Sequence, residues 1–207
     1  MVRRLRAGSW PHLKFASLKC SFSMKPILPS IALLLACTLS GAETTTNSLP
    51  APQQDRVGFP AGYAATYQVL RSIDKEKDLK VVTVYGNTQA ASVTNAAQLP
   101  FPNGSIIVME TAAARKDAAG KPELDERGRF RKGQVTGLHV MRREKGYGVD
   151  YGPNRTAEWE YVEYRADGSH LTPPARSGTC AACHVKAGAK RDFVYRGHLP
   201  VEVDPAR

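Results

Sequence analysis

The chain has 207 residues, 42% of them hydrophobic and 23% charged, with a formal net charge of +10. Residues 1–42 hold six Lys and Arg and no acid, so the remainder carries 23 basic against 19 acidic side chains, a net of +4. That balance, with acids and bases interleaved as in Lys75-Glu76-Lys77-Asp78, removes the support for nucleic-acid binding and describes an ordinary solvated surface.

In chain order, Lys25 and Pro26, the apolar run 27–39 and the small residues Ser40-Gly41-Ala42 have the charge, core and cleavage pattern of a secretory signal. Cleavage is expected after Ala42, with residues 1–23 an extended n-region or a start codon assigned too early. The run is too short to span a membrane. The alternative is a lipobox at Leu34-Leu35-Ala36-Cys37, which would leave Cys37 as a lipidated N-terminus. Residues 43–58 are rich in Thr, Pro and Gln and read as a flexible leader. Folding is expected to begin near Phe59, in one domain over 59–200 followed by a tail at 201–207.

Within that domain, Tyr63, Tyr67, Leu70 and Ile73 recur at helical spacing, which predicts an amphipathic helix over 61–73. Residues 80–85 are β-branched and short, a strand. Asn87 can cap a second helix running to about Gln98, ended by Pro100 and Pro102. After the Pro102-Asn103-Gly104 turn, 105–111 reads as a strand with Ile107 and Met109 on one face and Ile106 and Val108 on the other. Residues 115–133 are charged and glycine-containing, an exposed hairpin or loop. The strand over 134–143 alternates, Val135, Gly137, His139 and Met141 against Leu138 and Val140. An aromatic-rich strand follows over 157–165, ended by Asp167-Gly168-Ser169. The pattern predicts an α+β domain, predominantly antiparallel β: one curved sheet with two or three short helices and a further C-terminal helix.

That last helix carries Cys180-Ala181-Ala182-Cys183-His184. Cysteines three apart on one helical turn can add to the two vinyl groups of a haem, and a histidine directly after them reaches the iron. A bare Cys-x-x-Cys pair also suits zinc or dithiol chemistry. Zinc would need two further ligands, and no other cysteine lies after residue 42; a thioredoxin-like dithiol would want an early βα unit. The motif therefore points to one covalently held haem c, with Cys180 and Cys183 as attachment points and His184 as iron ligand. Export agrees with this, because c-type haem is attached outside the cytoplasm. His170 and His198 fall among turn and loop residues, where solvent exposure is the expectation.

The order of these elements, with Thr83-Val84-Tyr85, the Asn103-Gly104 turn and its strand, Gly137-Leu138, and CAACH followed by Asp192-Phe193-Val194, resembles the cytochrome P-460 family over roughly 59–200. The resemblance implies a periplasmic, largely β, commonly homodimeric protein with one pentacoordinate c-type haem per chain. Some members oxidise hydroxylamine, and the related cytochromes c'-beta bind nitric oxide and carbon monoxide at the open iron face. The hydroxylamine-oxidising members carry a lysine bonded to the haem edge, five residues beyond the turn glycine. Here that position is Met109, which has no amine, and the next lysine is Lys116 in the charged stretch. Where the family's Gly-Leu strand can present an acid, this chain has His139: an interior hydrogen-bonded residue, a distal proton donor or acceptor, or a direct iron ligand. Phe59, Tyr67, Phe101 and Trp159 are candidates for an aromatic distal wall, and core packing explains them equally well. The expected ligand is a small gas or nitrogen oxide, with a redox partner protein alongside. The alternatives are an electron-transfer cytochrome with His139, Met109 or Met141 as sixth ligand, and a hydroxylamine or nitric oxide oxidoreductase that uses a tyrosine or Lys116 for the haem-edge bond.

Overall fold

Six segments pair in strict chain order. β1 (Gln68–Lys75), β2 (Lys80–Gly86), β3 (Ile106–Ala114), β4 (Lys132–Arg143), β5 (Trp159–Tyr164) and β6 (His170–Thr172) form one open antiparallel sheet ordered β1-β2-β3-β4-β5-β6. The helices are short: α1 (Tyr63–Thr66), α2 (Thr88–Ala91) and α3 (Gly178–Val185). This is the α+β, predominantly antiparallel architecture expected from the sequence. The computed structural model describes residues 48–195. The signal, Cys37, residues 43–47, His198 and the 201–207 tail lie outside them.

Alternation along the strands splits the core between the two faces of the sheet. Val108, Leu138, Val140 and Val162 pack on one face against Val57 and Tyr63. Ile107, Met141 and Tyr161 pack on the other with Phe101 and Trp159, under Ala181 of α3. The β3 alternation holds as expected. In β4, Val135 departs from it and packs with the Val108 face. The cause is a bulge, since Thr111 pairs with Gly137 but Ala112 with Val135; the extra residue, Thr136, reverses the facing of Val135, and a second shift, between Ala112 and Ala114, undoes the reversal by Lys132.

The helix expected over 61–73 is one turn, α1, followed by β1. Tyr67 ends that turn in an extended conformation, and residues 68–75 pair with β2 as an edge strand. Asn87 does cap α2, accepting from the Ala90 amide at 3.0 Å and also from Ile106 N–H at 3.0 Å, which ties the helix to the start of β3. The helix stops at Ala91 because Ser92, Thr94 and Asn95 offer the backbone competing partners. Ser92 Oγ bonds the Gln89 carbonyl, and Asn95 starts a separate 3-10 turn, Ala96–Gln98, in which Gln98 Oε1 accepts the Thr94 and Asn95 amides.

Folding starts before Phe59. Ala51 and Val57 are buried, and Arg56 pairs with Glu160 and Asp150, so residues 48–58 form a strap fastened to the domain where a flexible leader was expected. The strap crosses the start of α3. A Cβ on Gly178 would fall 2.7 Å from Leu49 Cβ and 2.8 Å from the Pro50 carbonyl, so only glycine lets the two segments touch. His170, expected in an exposed loop, lies on β6 and bonds Asp55 of the strap at 2.8 Å.

The 115–133 stretch is an exposed arm held by bridges between Lys116 and Pro122 and between Leu124 and Phe130. Its end docks on the edge strand, where Asp74 receives Arg129 at 2.8 and 2.9 Å and the Phe130 amide at 3.0 Å. The Arg129 hydrogen bond holds the Asp74 carboxyl below its ordinary value. A depressed carboxyl pKa contributes stability above the unfolded value of about 3.9, lost as pH falls through the folded one. Asp74→Asn should therefore loosen the arm at pH 7 and flatten the fall in stability below about pH 4, read by hydrogen exchange of 115–131 amides and by denaturant midpoints. An acid transition identical to that of the parent protein would refute it.

Candidate haem-binding site

Antiparallel register lines up one rung of side chains across the sheet. Val84 lies beside Met109, Met109 beside His139, His139 beside Glu163, and Glu163 beside Thr172. The next rung on the same face is Ile107, Met141 and Tyr161. Between these rungs and α3 lies a cavity of about 420 Å³, lined mostly by apolar side chains from the strands and by Cys180, Cys183 and His184 from the helix. Met109, Met141, His139, Cys180, Cys183 and His184, all named from the sequence, line this one cavity.

The helix side is built around His184. Its Nδ1 lies 2.8 Å from the Phe193 carbonyl, an acceptor, so Nδ1 carries the proton and the Nε2 lone pair is left for a ligand bond. The imidazole is held between Tyr161, at 4.5 Å between ring centroids, and Tyr195, at 5.5 Å. Burial pushes its pKa down, which keeps it neutral, the form that ligates a metal. The residue before Phe193 is Asp192, whose carboxylate meets Arg143 at 2.8 Å and the Phe101 amide at 3.0 Å.

Burial, with the charge of Glu163 adding to it, pushes the Cys180 thiol up to about 11. Reactive dithiols and thiolate metal ligands need the opposite shift. Both cysteines are free, Cys183 is exposed, and among the described residues no group of three or more His, Cys, Asp or Glu converges to hold a metal. Among the described residues the donor set thus falls short of a zinc site, and the upward shift at Cys180 does not suit redox dithiol chemistry. Two unpaired thiols and one oriented neutral imidazole around an apolar cavity fit a haem, for which Cys180 and Cys183 would be the attachment points and His184 the axial ligand.

On the sheet side His139 is half-exposed and its Nδ1 lies 2.6 Å from Glu163 Oε1. The other Glu163 oxygen accepts from Thr172 Oγ1. The His139 hydrogen bond is the main reason that the Glu163 carboxyl is held below its ordinary value, so it stands ionised as an acceptor. Nothing in the sequence singled out Glu163. It becomes visible only through the β4–β5 register, although the Glu-Tyr-Val-Glu alternation of β5 already put an acid on that face.

The aromatic wall is also different from the expected one. Phe101 and Trp159 are fully buried edge to face in the core, and Phe59 and Tyr67 pack on the opposite side of the sheet. Tyr161 and Tyr195 line the cavity in their place. Lys116 sits in the exposed arm, and Glu110, adjacent to Met109, points to the far face, where it meets Tyr63 and Lys132.

No curated protein matches the chain. The Cytochrome P460 family model matches residues 60–196, which takes in the whole sheet, α3 and the Phe193 acceptor. The chain belongs to the cytochrome P460 family, and with that membership comes a haem c cofactor.

Proposed function

We propose that the chain is an exported mono-haem cytochrome that binds a small gas or nitrogen-oxide ligand on an open iron face, with its one haem held covalently by Cys180 and Cys183 alone. The observation that carries this reading is the composition of the sheet wall. Val84, Ile107, Met109 and Met141 present thioethers and hydrocarbon to the cavity, and among the described residues no lysine lines it. Met109 occupies the place that the family resemblance gives to the haem-linking lysine, which speaks against the hydroxylamine-oxidising branch. When bound, haem supplies the ligand-binding and redox chemistry. The chain's own residues orient a neutral His184, exclude water with the apolar rung, and hold a proton on His139 Nδ1 against Glu163 at the cavity edge. Location in the periplasm rests on the 24–42 signal pattern; a homodimer and a redox partner protein rest on the family.

The reduced protein should be high-spin, and its spectrum should change on adding carbon monoxide or nitric oxide. A low-spin spectrum unmoved by either gas sinks the proposal. That outcome would favour the electron-transfer reading, which has one observation in its support: Met109 and Met141 both line the cavity and are soft ligands of the kind that close a sixth position.

A further inference from the structure

After the Ala189–Arg191 turn, Asp192 and Phe193 both take positive φ, 48° and 58°, a region that residues with a Cβ occupy at a cost. Two successive residues held this way need an external restraint, and Asp192 supplies it. Asp192 is 4% exposed, and its carboxylate is gripped from two sides, by Arg143 Nη1 at 2.8 Å and the Phe101 amide at 3.0 Å. Arg143 is itself buried at the end of β4; Nη2 reaches Glu158 at 3.3 Å and Nε has no partner. A buried ion pair of this kind is a weak source of stability, because apolar residues of similar volume do as well or better. Its geometric consequence is specific. The residue after Asp192 is Phe193, whose carbonyl lies 2.8 Å from His184 Nδ1.

We infer that Asp192 is a positioning residue for the axial ligand: pinned by Arg143 and Phe101, it sets the Phe193 carbonyl and so the orientation and basicity of His184. The inference rests on the proposed role of His184 as iron ligand and assigns a control of iron electronics to a carboxylate outside the cavity. Partners of a ligating histidine act in this way in metal sites generally, since a better acceptor on one ring nitrogen makes the other a stronger donor.

Haem-loaded Asp192→Asn protein tests it. Asparagine keeps an acceptor for the Phe101 amide and tolerates positive φ, but it gives up the charge that holds Arg143. The iron–imidazole stretch of the reduced protein in resonance Raman should move to lower frequency, and the midpoint potential should rise. A weaker hydrogen bond makes His184 a poorer donor, and loss of a nearby negative charge favours the reduced iron. Should this variant yield no holoprotein, Arg143→Lys serves the same purpose, because it keeps the positive charge and loses the second arm of the guanidinium fork; the stretch should again fall. Thermal stability is followed in parallel. A variant that loads haem, loses stability and leaves stretch and potential unchanged shows a merely structural pair and overturns the inference. Parent protein purified without thioether-bound haem overturns both this inference and the proposed function, whereas unchanged iron signals in a haem-loaded variant overturn this inference alone.

Discussion

His184→Gly should keep its haem through denaturation yet lose the parent spectrum, and millimolar imidazole in the buffer should bring that spectrum back. The two losses separate because the anchors are separate: the thioether bonds would come from Cys180 and Cys183 and the axial bond from His184, and Cys183 is already exposed. Rescue is expected because the surroundings of the ring stay in place without it. Tyr161 is fastened through its hydroxyl to Thr156 at 2.8 Å, and Tyr195 through its hydroxyl to the Cys183 carbonyl at 2.8 Å. The Phe193 carbonyl is set by Asp192 rather than by the imidazole. A flat slot with one acceptor at its end therefore remains, and free imidazole can fill it with Nδ1 toward Phe193 and Nε2 toward the cavity. Absorption spectra with and without imidazole read the result. If His184→Gly matches the parent spectrum with no imidazole present, His184 is not the axial ligand.

What could be read from the sequence follows the strength of the local signal. CAACH named three cavity residues because the chemistry of thioether attachment dictates both residue types and spacing. The faces of β3 and most of β4 were legible because a strand sends successive residues to opposite faces, and each face has its own core, Ile107 and Met141 in one and Val108, Leu138 and Val140 in the other. β1 was not legible: as an edge strand it is exposed or half-exposed on both sides, Gln68-Val69-Leu70-Arg71 has no period of two, and Leu70 and Ile73 happened to continue the spacing set by Tyr63 and Tyr67. Its strand state comes from pairing with β2, a tertiary effect that outweighs local pattern. Val135 failed for a related reason, since a bulge reverses facing and leaves no mark in the residues around it. The strap failed because its composition resembles a linker, whereas its anchors, Arg56 on Glu160 and Asp55 on Tyr164, join positions about a hundred residues apart. Glu163 was missed on the same ground. A carboxylate that acts through a cross-strand neighbour is visible only once the register is known.

The cavity edge gives the second large effect. In His139→Ala and in Glu163→Gln the reduced protein should remain high-spin, because neither residue is expected to ligate the iron, while dissociation of a bound nitrogen oxide or gas should speed up about two- to tenfold. That range follows from an ordinary hydrogen bond being worth about 0.5–1.5 kcal/mol, at about 1.4 kcal/mol per factor of ten. Glu163 acts by orienting the His139 ring at the cavity edge; its carboxyl is held below the ordinary glutamate value chiefly by His139, with Thr172 adding to the effect. The sign for pH follows: the ionised form persists through the usual range near 4.3, so slow dissociation should hold from neutral pH down through that value. Below it, parent protein should approach the rate that Glu163→Gln shows at every pH. Stopped-flow displacement of the bound gas from pH 3.5 to 8 measures all three proteins. Dissociation that is equally slow in His139→Ala would remove the pair from the distal site. Conversion of a low-spin parent to high-spin by that substitution would make His139 the sixth ligand and the chain an electron carrier.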